Sequence, residues 1–384
     1  MSQELRLLAV CNYPSDTRPA HQVFVRALLR EMRALGADIT VFAPEPVWSV
    51  VRAGSRFRLP PRREQRDGMS IHRPRYVTYS TIPLPFGSNT RRWSDGSRLR
   101  TLSREAAALE GSPNLCMAHF LYPHGLAAAH LGGLLRVPAV VSLGESSFDR
   151  YESTYKPEEI GRLLAGFSGI IANSPLIQER CVVRYGLPEG RVRVFPNGVN
   201  DRHFYPRDRA EARELCGLPP DGLIVVFVGQ FIERKGPSRV LQAIRSRPDI
   251  GAVFLGYGAQ VPSGPQVLHS GAVSHEDMPM WLSAGDVFVL PTLDEGCSNA
   301  ILEALSCGLP VVSSDLPFNH HVLNDDVAIL VDPRDPSALS HAISTLVDDP
   351  GRRSAMSRAA LARSASFRLS DRAARILTFL RSFL

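Results

Sequence analysis

The sequence predicts an α/β protein built as two halves, each a parallel sheet covered by helices. Three observations carry that expectation. Short, almost wholly apolar runs of strand length recur at 5–10, 137–143, 223–228 and 287–290, and segments of helical periodicity alternate with them. Continuous rather than alternating apolar strands belong to sheets buried on both faces, which are parallel sheets with helical crossovers. The 384 residues suffice for two domains of about 150–200 residues. A polar, turn-rich stretch beginning Pro196-Asn197-Gly198 sets the boundary near 190–200.

In the first half, a strand at 5–10, a helix from Gln22 to Leu35 stopped by Gly36, and a strand from Asp38 form one βαβ unit. The loop at the carboxyl end of its first strand holds Arg18 and His21, which either meet an anion or simply cap the loop. Residues 52–104 read as irregular and very basic, with thirteen arginines against Glu64, Asp67 and Asp95. Interleaved with Phe57, Tyr76, Tyr79, Phe86 and Trp93, they suggest a face for an anionic partner. A membrane surface, nucleic acid and a merely solvated loop all remain open, though no nucleic-acid motif accompanies the charge. His119 and His124 lead into a small-residue helix, and Glu145 stands at the carboxyl end of the 137–143 strand. Ser174 is an N-cap candidate before Pro175.

The second half repeats the alternation. After the 223–228 strand come Gly229, Gln230, Arg234, Lys235 and Gly236, then a helix from Pro237. Only Lys156 and Lys235 are lysine among 44 basic side chains, which draws attention to Lys235 beside a helix start. A strand at 252–255 ends in Gly256-Tyr257-Gly258, and the stretch from Val267 to Val273 follows. The stretch 285–312 then reads as strand, polar loop, helix and strand. It carries two carboxylates, Glu295 in the loop and Glu303 on a short, mostly apolar helix, with Asn299 four residues earlier on the same face. A site for a ligand bearing hydroxyls and phosphate fits, and so does a pair of surface acids. The tail, 367–384, has the spacing of an amphipathic helix packed on the body.

Composition narrows the classes. Hydrophobic residues at 44% and charged residues at 21% describe an ordinary soluble globular chain, and no run reaches the ~18 apolar residues of a membrane span. The amino terminus runs straight into a strand without a basic region or cleavage site, unlike a signal peptide. The six cysteines (Cys11, Cys116, Cys181, Cys216, Cys297 and Cys307) lack metal-ligand spacing and read as reduced thiols of a cytoplasmic protein.

These residues resemble the retaining glycosyltransferases of family 4, whose GT-B architecture has two facing Rossmann-like domains. The resemblance covers nearly the whole chain. It rests on Pro196-Asn197-Gly198-Val199, on 228–236 with Lys235, and on 291–312 with its two glutamates, closing at Val331-Asp332-Pro333. It implies an N-terminal domain over 1–195, a donor domain over 196–365, and a helix over 366–384 crossing back to the N-terminal domain. By the same resemblance, Glu295 and the backbone of Gly296, Cys297, Ser298 and Asn299 would hold the transferred sugar. Glu303 would accept the ribose hydroxyls and Lys235 would neutralise the departing diphosphate. Gly229, Gln230 and Arg234 belong to the phosphate segment, and Gly256 and Val273 to the base pocket.

The sequence departs from the family where Gln230 replaces a usual arginine, with Arg234 a candidate substitute, and where Leu143-Gly144-Glu145-Ser146 replaces a His-Gly-x-Asp pattern. Glu145, His119, His124 and Arg18 are therefore the N-domain candidates. The resemblance implies transfer of a hexose from a UDP- or GDP-sugar to a lipid-linked or glycan acceptor in cell-surface polysaccharide or glycolipid synthesis. No cofactor, metal or nucleic-acid partner is expected. The expected location is the cytoplasm, with contact at an anionic membrane face as an option. Rival readings are a nucleotide-sugar epimerase and a non-catalytic protein that binds nucleotide sugars or anionic surfaces.

Overall fold

The apolar runs fold as strands of two sheets in the computed structural model, which describes residues 4–16, 18, 22–47, 60–79, 90–144, 152 and 155–384. The chain divides into one unit of Met1–Phe195 with Ala373–Leu384, and another of Pro196–Arg372.

The first unit has strands β1 (Arg6–Val10), β2 (Asp38–Phe42), β3 (Glu45–Pro46), β4 (Arg63–Arg66), β5 (Met69–His72), β6 (Arg75–Tyr76), β7 (Leu115–His119), β8 (Ala139–Leu143), β9 (Gly169–Ala172) and β10 (Val192–Val194). Its main sheet has the order β10-β9-β8-β7-β1-β2-β5-β4, and only β4 runs antiparallel to its neighbour. Leu8, Val10, Cys116, Ala118 and Val141 are fully buried, as strands covered on both faces require. The helix Val23–Ala34 buries Val25, Leu28, Leu29 and Met32, one stripe at helical spacing. Ser174 caps the helix Pro175–Glu179 by accepting from Ile177 N at 3.4 Å.

The carboxyl-terminal segment rejoins this unit. Phe379 and Phe383 lie over Gly169, where a Cβ would come within 2.5 Å of the Phe383 ring. The Phe379 ring also meets Phe195, with centroids 5.7 Å apart. The break between units falls within the helix Leu369–Arg381, after Arg372, rather than before it at 366.

One stretch differs from its sequence reading. Residues 52–104 look irregular, yet their described part contains β4, β5, β6 and most of the helix Arg91–Ala107. The helical pattern is hidden because the buried face includes Ser94 and Arg98 beside Leu102 and Ala106. Several of the described arginines are paired within the unit. Arg73, 1% exposed, donates to the carbonyls of Tyr13 and Pro14 and to Glu64. Arg98 pairs with Asp95 and Tyr76, Arg63 with Glu105, and Arg66 with Asp16. Phe57 and Phe86 lie outside the described residues.

The second unit has strands β11 (Leu223–Val228), β12 (Ile250–Leu255), β13 (Val267–Gly271), β14 (Val287–Leu290), β15 (Val311–Ser314) and β16 (Ala328–Val331). All are parallel, in the order β13-β12-β11-β14-β15-β16. Chain order therefore reverses between β11 and β14, the position where sheets of this kind open a crevice beyond their carboxyl ends. Asp286 pins those two strands at their amino ends. Its N–H donates to Ile224 O and its carboxylate accepts from Ile224 N, both at 2.8 Å. Arg213 and Arg209 donate to the two carboxylate oxygens at 2.8 and 2.7 Å. The chain's entry and exit from the unit are tied as well, by Val199 N to Phe367 O at 2.8 Å and Leu369 N to Val199 O at 2.9 Å.

Asp286→Ala leaves the buried Arg213 guanidinium without its carboxylate. The substitution is expected to cost about 3–5 kcal/mol, read from denaturant unfolding of the full chain. A loss under about 1 kcal/mol, typical of an exposed pair, would contradict this role for Asp286.

Candidate functional site

The loops leaving β11 and β14 meet at the carboxyl ends of these neighbouring strands. Leu293 N donates to Arg234 O at 2.8 Å, and Thr292 Oγ1 donates to Arg234 O at 3.3 Å and Asp294 O at 3.2 Å. Arg234 Nη1 donates back to Asp294 O at 2.6 Å. Arg239, one turn beyond Lys235, donates to Pro291 O at 2.9 Å and Glu233 O at 2.8 Å. Two loops distant in sequence are thereby fixed to each other through backbone carbonyls.

Within that frame Lys235 Nζ contacts the Glu295 carboxylate as an ion pair, with the two side chains only 15% and 9% exposed. Lys235 stands just before the helix Pro237–Ile244, and Glu295 lies in the loop before the helix Asn299–Ser306. Burial, the largest influence, pushes the Lys235 ammonium down to about 7; Arg234 pushes the same way and Asp294 pulls back. The touching Glu295 carboxylate favours the charged form.

The helix Asn299–Ser306 begins at Ser298, whose hydroxyl accepts from Ile301 N. Gly296 and Cys297 are buried in the loop before it, while Asn299 is half-buried. Asn197 Nδ2 donates to Cys297 O at 2.9 Å, so the Pro196-Asn197-Gly198 turn supports the loop directly. Burial pushes the Cys297 thiol up to about 11, which suits a structural cysteine.

Glu303 lies one turn further along the helix, 16% exposed, with His275 Nε2 3.7 Å from its carboxylate. His275 is held in turn. His203 Nε2 donates to His275 O at 2.9 Å, the two rings stack 5.5 Å apart, and Phe204 meets His275 edge-on at 5.2 Å. Ser306 Oγ fixes Phe204 through its carbonyl at 2.7 Å.

Gly229 and Gly256 bring the β11 and β12 loops together backbone on backbone. A Cβ on Gly256 would lie 1.9 Å from Gly229 O, so no side chain fits. Gly256 N donates to Gly271 O at 2.8 Å, which ties in the strand leading to the half-buried Val273. Gln230 is exposed at the start of the β11 loop.

The structure thus joins Lys235 to Glu295 directly and Arg234 to the same loop at Asp294 O, and sets Gly229, Gln230, Gly256, Val273, Ser298, Asn299 and Glu303 at the carboxyl ends of the same sheet or on the helix leaving it. The first-unit candidates are described by themselves. Arg18 is engaged with Glu45 at 3.1 Å. His119 and His124 are buried, 5% and 3% exposed, at the end of β7 and in the turn after it. Glu145 and His21 lie outside the described residues. Sequence reasoning missed Arg239, Asn197, His203 and His275. Arg239 was findable, since it follows Lys235 by four residues at a helix start. Asn197 read as turn chemistry and as part of the segment carrying the resemblance, with no contact to the 296–299 loop foreseen. His275 and His203 belong to different loops, and only folding brings them to Glu303. Among the described residues no group of His, Cys, Asp and Glu could hold a metal ion, and no helix is long and apolar enough to cross a membrane.

Comparison with known proteins gives the family and the fold. Residues 21–203 match the family described as Glycosyltransferase Family 4, and residues 208–363 match Glycosyl transferases group 1. TuaC of Bacillus subtilis, named for a role in teichuronic acid biosynthesis as a glycosyltransferase, is 29% identical over 346 residues, 86% of each chain. D-inositol 3-phosphate glycosyltransferase 1 of Catenulispora acidiphila is 25% identical, covering 94% of this chain and 90% of its own. HepE of Anabaena, solved with UDP and glucose, superposes with TM-score 0.76 at 18% identity over 99% of this chain and all of its own. Sucrose-phosphate synthase from Thermosynechococcus elongatus gives 0.75 at 20% identity, over 98% of both chains.

The chain's two lysines make the buried one directly observable. Protein labelled with ¹³C at lysine Cε should show one signal titrating near pH 7, absent from Lys235→Arg protein. Glu295→Gln should move that midpoint lower, since it removes the carboxylate that favours the charged form. A lone midpoint in the ordinary lysine range of about 10.4 would contradict the buried environment described for Lys235.

Proposed function

This chain belongs to the family 4 glycosyltransferases of GT-B architecture, which use nucleotide-sugar donors, and from that premise we propose that it moves a hexose from a UDP-sugar to an acceptor hydroxyl with retention at the anomeric carbon. The observation that carries the reading is the Lys235–Glu295 pair, held where β11 and β14 part. A buried cation beside two helix starts suits a diphosphate whose charge grows as it leaves. Glu303, with His275 at its side, suits the two ribose hydroxyls, since a carboxylate pairs naturally with a vicinal diol. Gly229 and Gly256 let the β11 and β12 loops pack backbone on backbone, and we place the base of the nucleotide against that backbone. Uridine is the proposed base because HepE was solved with UDP and with UDP-glucose.

The reaction proceeds as a front-face displacement. The bond from the anomeric carbon to the diphosphate oxygen breaks, and the bond to the acceptor oxygen forms on the same face. The acceptor proton passes to the departing diphosphate. Lys235 exchanges its contact with Glu295 for the diphosphate and remains charged against it. Glu295, freed of that contact, holds hydroxyls of the transferred sugar together with N–H groups of the 296–299 loop. Its pairing with Lys235 favours this positioning role over nucleophilic attack.

The acceptor we propose is a lipid-linked or glycan substrate of cell-surface polymer synthesis, handled by the first unit. TuaC's named role supports that choice. So do exposed Trp93 and Tyr79, 5.7 Å apart on the arginine-rich part of that unit, a pairing suited to the inner face of a membrane.

Lys235→Ala and Glu295→Ala are each expected to lower transfer by at least about 100-fold, measured with purified protein, a panel of UDP-hexoses and an acceptor. The first product should carry the donor's anomeric configuration. Activity unchanged in both variants, or donor turnover to an epimer without acceptor, would overturn this reading.

A further inference from the structure

We propose that an arginine-lined cavity in the first unit, between the helix Arg91–Ala107 and the β4–β6 edge, is a binding site for a phosphate-bearing group. Its lining residues belong to the first unit, whereas the donor residues proposed above belong to the second. The cavity holds about 590 Å³, and Arg62, Arg63, Arg73, Arg75 and Arg104 line it with Glu105. Two of the five guanidiniums are already neutralised. Arg73 pairs with Glu64 at 2.8 Å, and Arg63 pairs with Glu105 at 2.7 Å. Glu105 is further engaged by His72 Nδ1 at 2.7 Å, so its charge is shared.

The remaining three have no carboxylate among the described residues. Arg75 reaches only the Pro60 carbonyl, at 3.3 Å. Arg62 and Arg104 are exposed, and their guanidiniums have no polar partner among the described residues. Both follow from the local frame. The carbonyl of Arg62 accepts from Arg73 N at 2.7 Å, which sets the start of β4 against the end of β5. Arg104 precedes Glu105 on the helix, which Arg63 and His72 hold to the same sheet edge.

Three unneutralised planar forks around one cavity repel one another, and a multiply charged tetrahedral anion relieves that repulsion with paired hydrogen bonds. A single carboxylate offers too little charge for three guanidiniums. The volume exceeds a bare phosphate ion and falls in the range of small-molecule sites, about 300–1,000 Å³. The ligand class is therefore a phosphate ester or diphosphate, whether a lipid headgroup or a small phosphorylated molecule.

The test uses full-length protein carrying Lys235→Ala, which disables the principal donor-site cation, and titrates it with inorganic pyrophosphate by calorimetry. Adding Arg62→Ala and Arg104→Ala removes two exposed side chains on which no described contact depends. Pyrophosphate binding in the single variant, weakened at least tenfold in the triple variant, is the expected result. Cosedimentation with phosphatidylcholine vesicles containing phosphatidic acid then identifies the source. Arginine-dependent vesicle binding points to a headgroup, and pyrophosphate binding without it points to a small phosphorylated molecule. No pyrophosphate binding, or equal affinity in the two proteins, would overturn the proposal.

Discussion

The second unit depends on two central strands, β11 and β14, lying side by side in one register. Asp286 sets that register at one end, exchanging hydrogen bonds with Ile224 while Arg213 and Arg209 neutralise it. At the other end the same strands release the loop bearing Lys235 and the loop bearing Glu295. Each of those charges would be costly to bury alone, and together they offset much of the desolvation cost. A shift of β14 by one residue would turn its side chains to the other face and separate the pair. The structural network at the amino ends of the strands and the chemical one at their carboxyl ends are thus two consequences of one adjacency.

Arginine and lysine divide their work differently in this chain. Arginines repeatedly satisfy backbone carbonyls that helices and loops leave open. Arg213 reaches Ala284 O and Pro220 O, Arg363 reaches His321 O and Val322 O, and Arg73 reaches Tyr13 O and Pro14 O. A guanidinium can serve two carbonyls at once and keeps its charge when buried. A buried lysine responds to its surroundings, and Lys235 is pushed down to about 7. An adjustable cation suits the arriving and departing diphosphate that we propose, and a fixed one suits the frame.

Much of this was legible in the residues themselves. Strands buried on both faces announce themselves as unbroken apolar runs, so β1, β8, β11 and β14 stand out. Lys235 stands out by rarity, and Glu303 as a lone acid on an apolar helix. What stayed hidden depends on pairing across the fold. Arg73 and Arg98 count as surface charge until Glu64, Asp95 and Tyr76 are seen beside them. Because such residues line the helix Arg91–Ala107, its buried stripe does not look apolar, and the helix vanished into an apparently irregular stretch. His275 gives no local sign of its place beside Glu303, since that position is set by His203 and Phe204 from another loop. Arg239 was visible at a helix start, yet its use in bridging to Pro291 O required the β11–β14 adjacency.

We propose that this adjacency builds a nucleoside-diphosphate site. The most direct measurement is a crystal structure of the protein with UDP. The predicted result has diphosphate oxygens within hydrogen-bond distance of Lys235 Nζ, ribose hydroxyls on the Glu303 carboxylate, and the Lys235–Glu295 contact opened. UDP bound away from the carboxyl ends of β11 and β14, with that contact intact, would contradict it.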